Sequence, residues 1–323
     1  MKVGIVGAGQ IVPSFLAAAA LNSKIEIKAI CAVAMLDRLK TLQRQYAIDE
    51  IFEDVDEMLK IADVDTIYIA VPNHLHALMA KKALAKGKHV ILEKPFTITL
   101  KEAEDLFALA RKQHRFLFEA ITTIHSPNYK KAKSLVSEME TVKIVYLNYT
   151  QYSSRYDAFM AGQILPAFDS RKAGGALRDI NIYNIHFVVG MFGLPDAVKY
   201  YPNIVHHVDV SGTLIMEYKN FTCTLIGAKD CSNHAEIRIQ GDKKTLVSSS
   251  PANVFAEFDF IRDQEIEHVQ LLENKERLYA ELKEFERVIR ERDVTAMEAY
   301  QRHTLDVMKV IDMLGSGKEN KHA

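Results

Sequence analysis

The chain has 323 residues, 48% apolar and 26% charged, with 41 lysines and arginines against 42 acids and a formal net charge of −1. That length suggests two domains, and the composition excludes a disordered, collagen-like or low-complexity chain. So neutral a balance carries no electrostatic footprint for nucleic acid or an anionic membrane.

The first 120 residues alternate between strand and helix patterns. Residues 2–6 form a short apolar strand that runs into Gly7-Ala8-Gly9, and residues 11–21 are alanine-rich and helical. Strands are expected at 25–33, 51–52, 66–71, 89–92 and 116–118, with helices at 35–46, 55–61 and 73–85 between them. Thr99 with Glu102 three residues on is a capping-box pattern, so a further helix starts at residue 100 and ends near His114. Near-continuous apolar strands joined by helices predict a parallel sheet covered on both faces.

After residue 120 the pattern changes. Ser126-Pro127 is a helix start, residues 142–151 read as a long strand, residues 153–172 are polar and irregular, and residues 174–190 are helical. Strand-like runs between residues 197 and 260, broken at Lys219-Asn220 and Gly241-Asp242, favour an antiparallel sheet. Helices at 273–290 and 294–314 finish the chain before a polar tail, 315–323, that is expected to fray. The expected organisation is α/β for residues 1–120 and α+β for 121–323, the last helix packing back on the first domain.

Several clusters carry chemistry-bearing residues. Gly7-Ala8-Gly9-Gln10-Ile11-Val12 lies after a strand and before a helix, where a dinucleotide fingerprint belongs; the alternative is a structural glycine turn. The third glycine or alanine of that pattern is replaced by Val12, and Pro13 is tolerated in a first helical turn. The acid that binds the ribose hydroxyls of NAD is absent from Cys31-Ala32-Val33-Ala34. Arg38 could meet a 2′-phosphate or be a solvated helix charge, so NAD and NADP both remain open. Val71-Pro72-Asn73-His74-Leu75-His76 follows the most apolar strand, where ligands bind in parallel sheets. Asn73 there is a helix cap, a ligand contact or both; His76 is a ligand contact or a packed first-turn residue. In Glu93-Lys94-Pro95 the proline biases Lys94 towards an extended conformation aimed out of the sheet edge; a surface salt bridge is the plainer reading. Asp179, Tyr183 and His186 fall four and three apart on one helical face, either as a proton-handling site or as a polar stripe at an interface.

Three cysteines (Cys31, Cys223, Cys231) without a CxxC pair argue for a reducing compartment, with the cytoplasm as default. No apolar run reaches membrane-span length, and the N-terminus has no signal-peptide pattern. Cys223, Cys231 and His206-His207 match no metal spacing, so no metal is expected.

Gly7-Ala8-Gly9, Ala-Lys-Gly-Lys-His-Val (85–90) leading into Glu93-Lys94-Pro95, and Gly-Gly-Ala-Leu (174–177) with Asp179 together resemble the glucose–fructose oxidoreductase / inositol dehydrogenase / rhizopine catabolism (Gfo/Idh/MocA) family over nearly the whole chain. The resemblance implies an N-terminal Rossmann domain and a C-terminal domain with a large, mostly antiparallel sheet used for homodimerisation. It implies an NAD(P)-dependent oxidoreductase acting on a carbinol or carbonyl of a small polyhydroxylated substrate. Lys94 would be the active-site lysine, with Gly7, Gly9, Gln10, Ile11, Ala32, Val71, Asn73, His76 and Glu93 near the cofactor. Tyr183, where many members carry histidine, looks like the branch of glucose–fructose oxidoreductase and dimeric dihydrodiol dehydrogenase, in which tyrosine gives the proton; Asp179 would orient the set. Asn181 stands in place of a family glycine, and the stretch 121–125 lacks the dihydrodiol-type tryptophan and arginine. His125, Arg155, Asn181 and His186 are therefore the expected substrate contacts. Two other readings remain: an NAD-assisted glycoside hydrolase or lyase, and a non-catalytic nucleotide sensor.

Overall fold

The structure is a computed structural model that describes residues 1–316. Its first sheet is built from β1 (Lys2–Val6), β2 (Glu26–Cys31), β3 (Glu50–Phe52), β4 (Thr66–Ile69), β5 (His89–Glu93) and β6 (Leu117–Ala120). The connecting helices are α1 (Val12–Ala19), α2 (Leu36–Tyr46), α3 (Val55–Ile61), α4 (His76–Ala85) and α5 (Leu100–Lys112). The strand order is β3-β2-β1-β4-β5-β6 and every pairing is parallel. The order reverses between β1 and β4, which opens the crevice outside their carboxyl ends where ligands bind in such sheets. Local signals explain the helix starts. Asp54 accepts from the Glu57 amide at 2.8 Å to cap α3, and Thr99 with Glu102 forms the expected reciprocal box on α5. The strands are buried because helices cover both faces: all four residues of β4 and of β6 are buried.

The second sheet follows two short helices, α6 (Thr122–His125) and α7 (Pro127–Ser137). Its strands are β7 (Val142–Thr150), β8 (Ala197–Val205), β9 (Val208–Tyr218), β10 (Phe221–Ala228), β11 (Glu236–Gly241), β12 (Lys244–Ser248), β13 (Phe258–Arg262) and β14 (Glu265–Val269). Between β7 and β8 lie α8 (Tyr156–Met160), two 3-10 turns (Pro166–Phe168, Ser170–Lys172), a π-helical turn (Leu177–Asn181) and α9 (Ile182–Phe192). The order is β14-β13-β12-β11-β7-β10-β9-β8; β7 and β10 are parallel and the other pairs antiparallel. Val145, Leu147, Leu214, Met216, Leu225 and Ile239 form one core with Tyr129 and Leu135 of α7 and Ile185, Phe187 and Val188 of α9. Strand residues alternate between faces, so the opposite face presents Ile144 (56% exposed), Tyr201 (51%) and Ile266 (65%), with half-buried Tyr146, Ile215, Ile226, Val247 and Ile261 among polar neighbours.

The chain ends in α10 (Tyr279–Glu291) and α11 (Val294–Ser316). One compact unit comprises Met1–Ala120 and Asn274–Leu305; the other comprises Ile121–Glu273 and the chain from Asp306 on. The sequence alone assigned 121–323 to the second domain, with the last helix packing back on the first. The Phe118 and Phe285 rings, stacked at 4.5 Å, and the Thr304 hydroxyl donating to Glu119 at 2.9 Å hold α10 and the first half of α11 in the first unit.

Three further local differences have physical reasons. Helix α10 starts at Tyr279 rather than at residue 273, because the Asn274 side chain accepts from the Glu276 amide at 2.9 Å and holds a turn there. Strand β14 lies beyond the strand-like runs expected up to residue 260; it is a charged edge strand reached through Asp263 at φ +53°. Ser126 stands at the N-cap of α7 but makes no side-chain cap. The tail expected to fray begins inside α11 and, from residue 317, lies outside the described residues. Among the described residues no helix is long and apolar enough to cross a membrane, and no cluster of three or more His, Cys, Asp and Glu side chains could hold a metal.

Candidate active site

One cluster of candidate residues lies at the carboxyl edge of the parallel sheet. Gly7 ends β1 at φ +116°, and a Cβ there would lie 2.2 Å from the Ala70 carbonyl oxygen. The fold itself therefore requires glycine at residue 7. Gly9 differs: it is exposed, and a Cβ there would meet nothing closer than the same oxygen at 4.0 Å. Protein packing leaves that position open, which fits a pyrophosphate approaching the backbone between β1 and α1. Gln10 is exposed and Ile11 half-buried at the N-cap of α1, without a side-chain cap. After β2, Ala32 is buried while Val33, at 72% exposure, and Asp37 face solvent; Arg38 is half-buried.

The turn after β4 sits next to that glycine turn. Val71 and Asn73 are half-buried; Asn73 opens a 3-10 turn rather than capping α4, whose N-cap is Leu75. His76 is 1% exposed, with Nε2 2.9 Å from the Val71 carbonyl oxygen and Nδ1 2.9 Å from that of Pro95. It thus links the turns that follow β4 and β5. Burial holds its imidazole below the ordinary histidine range, against the pull of the carbonyls. Its ring nitrogens face protein carbonyls, so it supports the cofactor edge more directly than it could touch a ligand.

Lys94 is half-buried at the end of β5, and its amide donates to the Glu93 carboxylate at 3.2 Å. The other Glu93 oxygen accepts from the Tyr68 hydroxyl at 2.6 Å, and the Tyr68 ring stacks on Phe15 of α1 at 3.7 Å. Burial pushes the Glu93 carboxyl up, with Tyr68 and Lys94 opposing. Behind it lies Glu281 of α10, raised well above the usual range by burial and by the Glu93 charge; its Oε2 has no partner. A carboxyl raised in the fold contributes stability below its unfolded pKa and loses it as pH rises through the folded value. Glu281→Gln is therefore expected to stabilise the protein at neutral pH by about 1–3 kcal/mol. The gap to wild type should widen from pH 5 to pH 8 in thermal melts; a gap independent of pH would remove this account.

A second cluster of candidate residues lies in the other unit. Gly174 and Gly175 start the turn because nothing larger fits: at Gly175 (φ +120°) a Cβ would strike Asp209 Oδ1, and at Gly174 it would lie 2.6 Å from the Pro166 carbonyl. Asp209 on β9 accepts from the Leu177 amide at 2.7 Å and from the Tyr200 hydroxyl at 2.8 Å, which fixes the start of the π-helical turn. Such turns inside helices occur often at functional sites. Asp179 sits on the turn with its side chain 34% exposed. Tyr183 follows in α9, 6% exposed, its ring edge-on to Tyr149 at 6.0 Å. His186 is fully buried among core residues one turn further.

The expected substrate contacts divide. Arg155 is half-buried beside α8, and His125 is 3% exposed at the end of α6. Asn181 is fully buried, donates to the Leu225 carbonyl at 3.2 Å and accepts from Asn184 at 2.9 Å. Its side chain is turned into β10, where Gly227 leaves room for it, and so serves packing. Sequence reading missed Lys229, a lysine 1% exposed at the end of β10 whose Nζ lies 2.8 Å from Asp179. A lysine directly after an alternating apolar strand, Lys229 following β10, is the one signal that was available.

Comparison with known proteins identifies the family. Residues 1–121 match the family described as "Oxidoreductase family, NAD-binding Rossmann fold" (GFO_IDH_MocA). The chain is 31% identical to scyllo-inositol 2-dehydrogenase (NADP(+)) of Bacillus subtilis over 97% of its own length and 95% of that protein. It is 27% identical to trans-1,2-dihydrobenzene-1,2-diol dehydrogenase of Xenopus tropicalis over 67% of this chain and 65% of the other. Its fold matches a 3-ketoreductase from Actinomadura kijaniata solved with NADP and TDP-benzene, with TM-score 0.83 and 22% identity, over 98% of this chain and 97% of that one. The glycine turn open at residue 9, the lysine at the end of β5 and the acid–phenol pair at the start of α9 thus stand in a chain that belongs to the Gfo/Idh/MocA family of NAD(P)-dependent oxidoreductases.

Proposed function

We propose that this chain oxidises a secondary alcohol of a cyclic polyol, with the inositols as the first candidates, and that it accepts NADP+. The observation that carries the reading is Lys94 at the end of β5, beside the β1–β4 crevice, in a chain aligned over 97% of its length with an inositol dehydrogenase. Gly7, Gly9, Gln10 and Ile11 would hold the pyrophosphate, with Ala32, Val71 and Asn73 along the same edge and His76 and Glu93 bracing it. When bound, the dinucleotide supplies the nicotinamide carbon that accepts a hydride. The protein's own work is to hold the alcohol and move its proton. Lys94 donates a hydrogen bond to the reacting oxygen, Tyr183 takes the proton, and Asp179 accepts from a neighbouring hydroxyl. Arg155 and His125 would complete the polar surroundings, while His186 stays in the α9 core.

Purified protein assayed for reduced nicotinamide against a panel of inositols, sugars and diols, with both cofactors, tests this. Inositols are expected to lead the panel. NADP+ is expected to give a kcat/KM at least equal to that of NAD+, because residues 31–34 offer no carboxylate to the ribose. A strong preference for NAD+ would mean that another group binds the ribose.

The second unit also supports a homodimer. The sheet face carrying Ile144, Tyr201 and Ile266 is apolar enough to be an interface with a second copy. Light scattering at micromolar concentration is expected to give twice the chain mass, and Ile144→Lys to shift it towards the monomer. A monomer mass for the wild type would count against this. Cys31 and Cys223, both buried free thiols, suit a reducing compartment such as the cytoplasm.

A further inference from the structure

Lys229 is 1% exposed, and its ammonium meets two separate segments of the second unit. Nζ lies 2.8 Å from Asp179 Oδ2, donates to the Ala167 carbonyl at 2.6 Å and stands 4.1 Å from the centre of the Phe168 ring. The backbone is tied as well: the Lys229 amide donates to Val210 O at 2.7 Å, and its carbonyl accepts from the Ser153 amide at 2.9 Å. The lysine therefore fastens the irregular segment 153–172 to the turn that carries Asp179. Ala167 also accepts from the Gly175 amide at 3.2 Å, so both ends of this link meet at the start of the π-helical turn.

The pair is asymmetric. The Lys229 side chain is 2% exposed and that of Asp179 is 34% exposed, so the ammonium backs the carboxylate from inside while part of the carboxylate faces outward. A cation at ion-pair distance favours the ionised carboxylate and makes it a poor proton acceptor. Such a group is suited to accept a hydrogen bond from a hydroxyl, in a direction set in advance. A buried ammonium offered less than this would be costly to keep.

We infer that Lys229 is a positioning residue: it holds Asp179 as a fixed, ionised acceptor for a substrate hydroxyl next to the one being oxidised, and couples that acceptor to the wall formed by 166–168. The inference rests on the proposed reading of Asp179 as a substrate contact. It leaves the proton of the reacting alcohol to Tyr183 and makes vicinal hydroxyls the feature this half of the site selects.

The test compares Lys229→Met, Lys229→Arg, Asp179→Asn and the Lys229→Met/Asp179→Asn double variant with wild type. The readouts are kcat and KM for scyllo-inositol with NADP+, NADP+ affinity by calorimetry, and thermal unfolding. Lys229→Met is expected to lower kcat/KM on the order of 10²-fold, the cost of a misplaced contact, mostly through KM, with NADP+ affinity unchanged. Lys229→Arg should recover most of the loss, and in the Asp179→Asn background Lys229→Met should cost little more. Unchanged kcat/KM in folded Lys229→Met, or losses that simply add in the double variant, would overturn the inference. Should Lys229→Met not fold, Lys229→Gln keeps a neutral donor and should still raise KM; a normal KM there overturns it equally. No turnover by wild type on the whole panel would refute the functional reading by itself. The unfolding cycle then decides the pairing: less than additive losses of melting temperature support it, and additive losses overturn it.

Discussion

Tyr183→Phe is expected to lower kcat on the order of 10²–10⁴ while leaving NADP+ affinity and melting temperature close to wild type. The substitution removes one oxygen from a ring that is 6% exposed and packed edge-on against Tyr149, so the packing survives and the proton acceptor does not. Lys94→Met should be at least as damaging, because it removes the hydrogen bond to the reacting oxygen together with its charge. The two losses should not add, since the residues serve one proton movement. Steady-state kinetics of the single and double variants measure this. A near-normal kcat in Tyr183→Phe, with His186→Ala inactive but folded, would move the proton role to the histidine. The complete burial of His186 in the α9 core argues for the tyrosine.

The second large effect is expected at the glycine turn. Gly9→Val should abolish NADP+ binding in calorimetry and leave the fold intact. Residue 9 needs no left-handed backbone, and a Cβ there meets only Ala70 O at 4.0 Å, so the side chain would occupy space the protein does not use. Gly7 makes the control: at φ +116° and 2.2 Å from the same oxygen, a side chain there should damage the fold itself. Equal cofactor affinity in Gly9→Val and wild type would refute the fingerprint.

The first sheet was legible because each of its signals is local. The apolar runs, the Thr99–Glu102 box and the glycine turn lie within a few residues of the structure they specify. Asp179 and Tyr183 were found for the same reason, four apart in one turn, although the turn proved to be π-helical and widened at Asp179. What escaped is non-local. Lys229 meets Asp179 across 50 residues of chain, and Glu281 reaches the Glu93 environment only because α10 returns to the first unit. Periodicity cannot report such meetings, because they depend on tertiary pairing. Asn181 misled for the opposite reason: its position looked like a substrate contact, but Gly227 on β10 makes a space that its side chain fills. Strand β14 was hidden by its charges, which an edge strand tolerates.

The most direct measurement follows a ring-deuterated form of whichever panel polyol turns over fastest, with NADP+. Mass spectrometry of the products should find one deuterium in each reduced nicotinamide and one ketone formed for each cofactor reduced. Substrate consumed with no net reduced cofactor would contradict this account and favour transient oxidation by a hydrolase or lyase. Tight NADP+ binding without turnover of any panel member would contradict it in favour of a sensor.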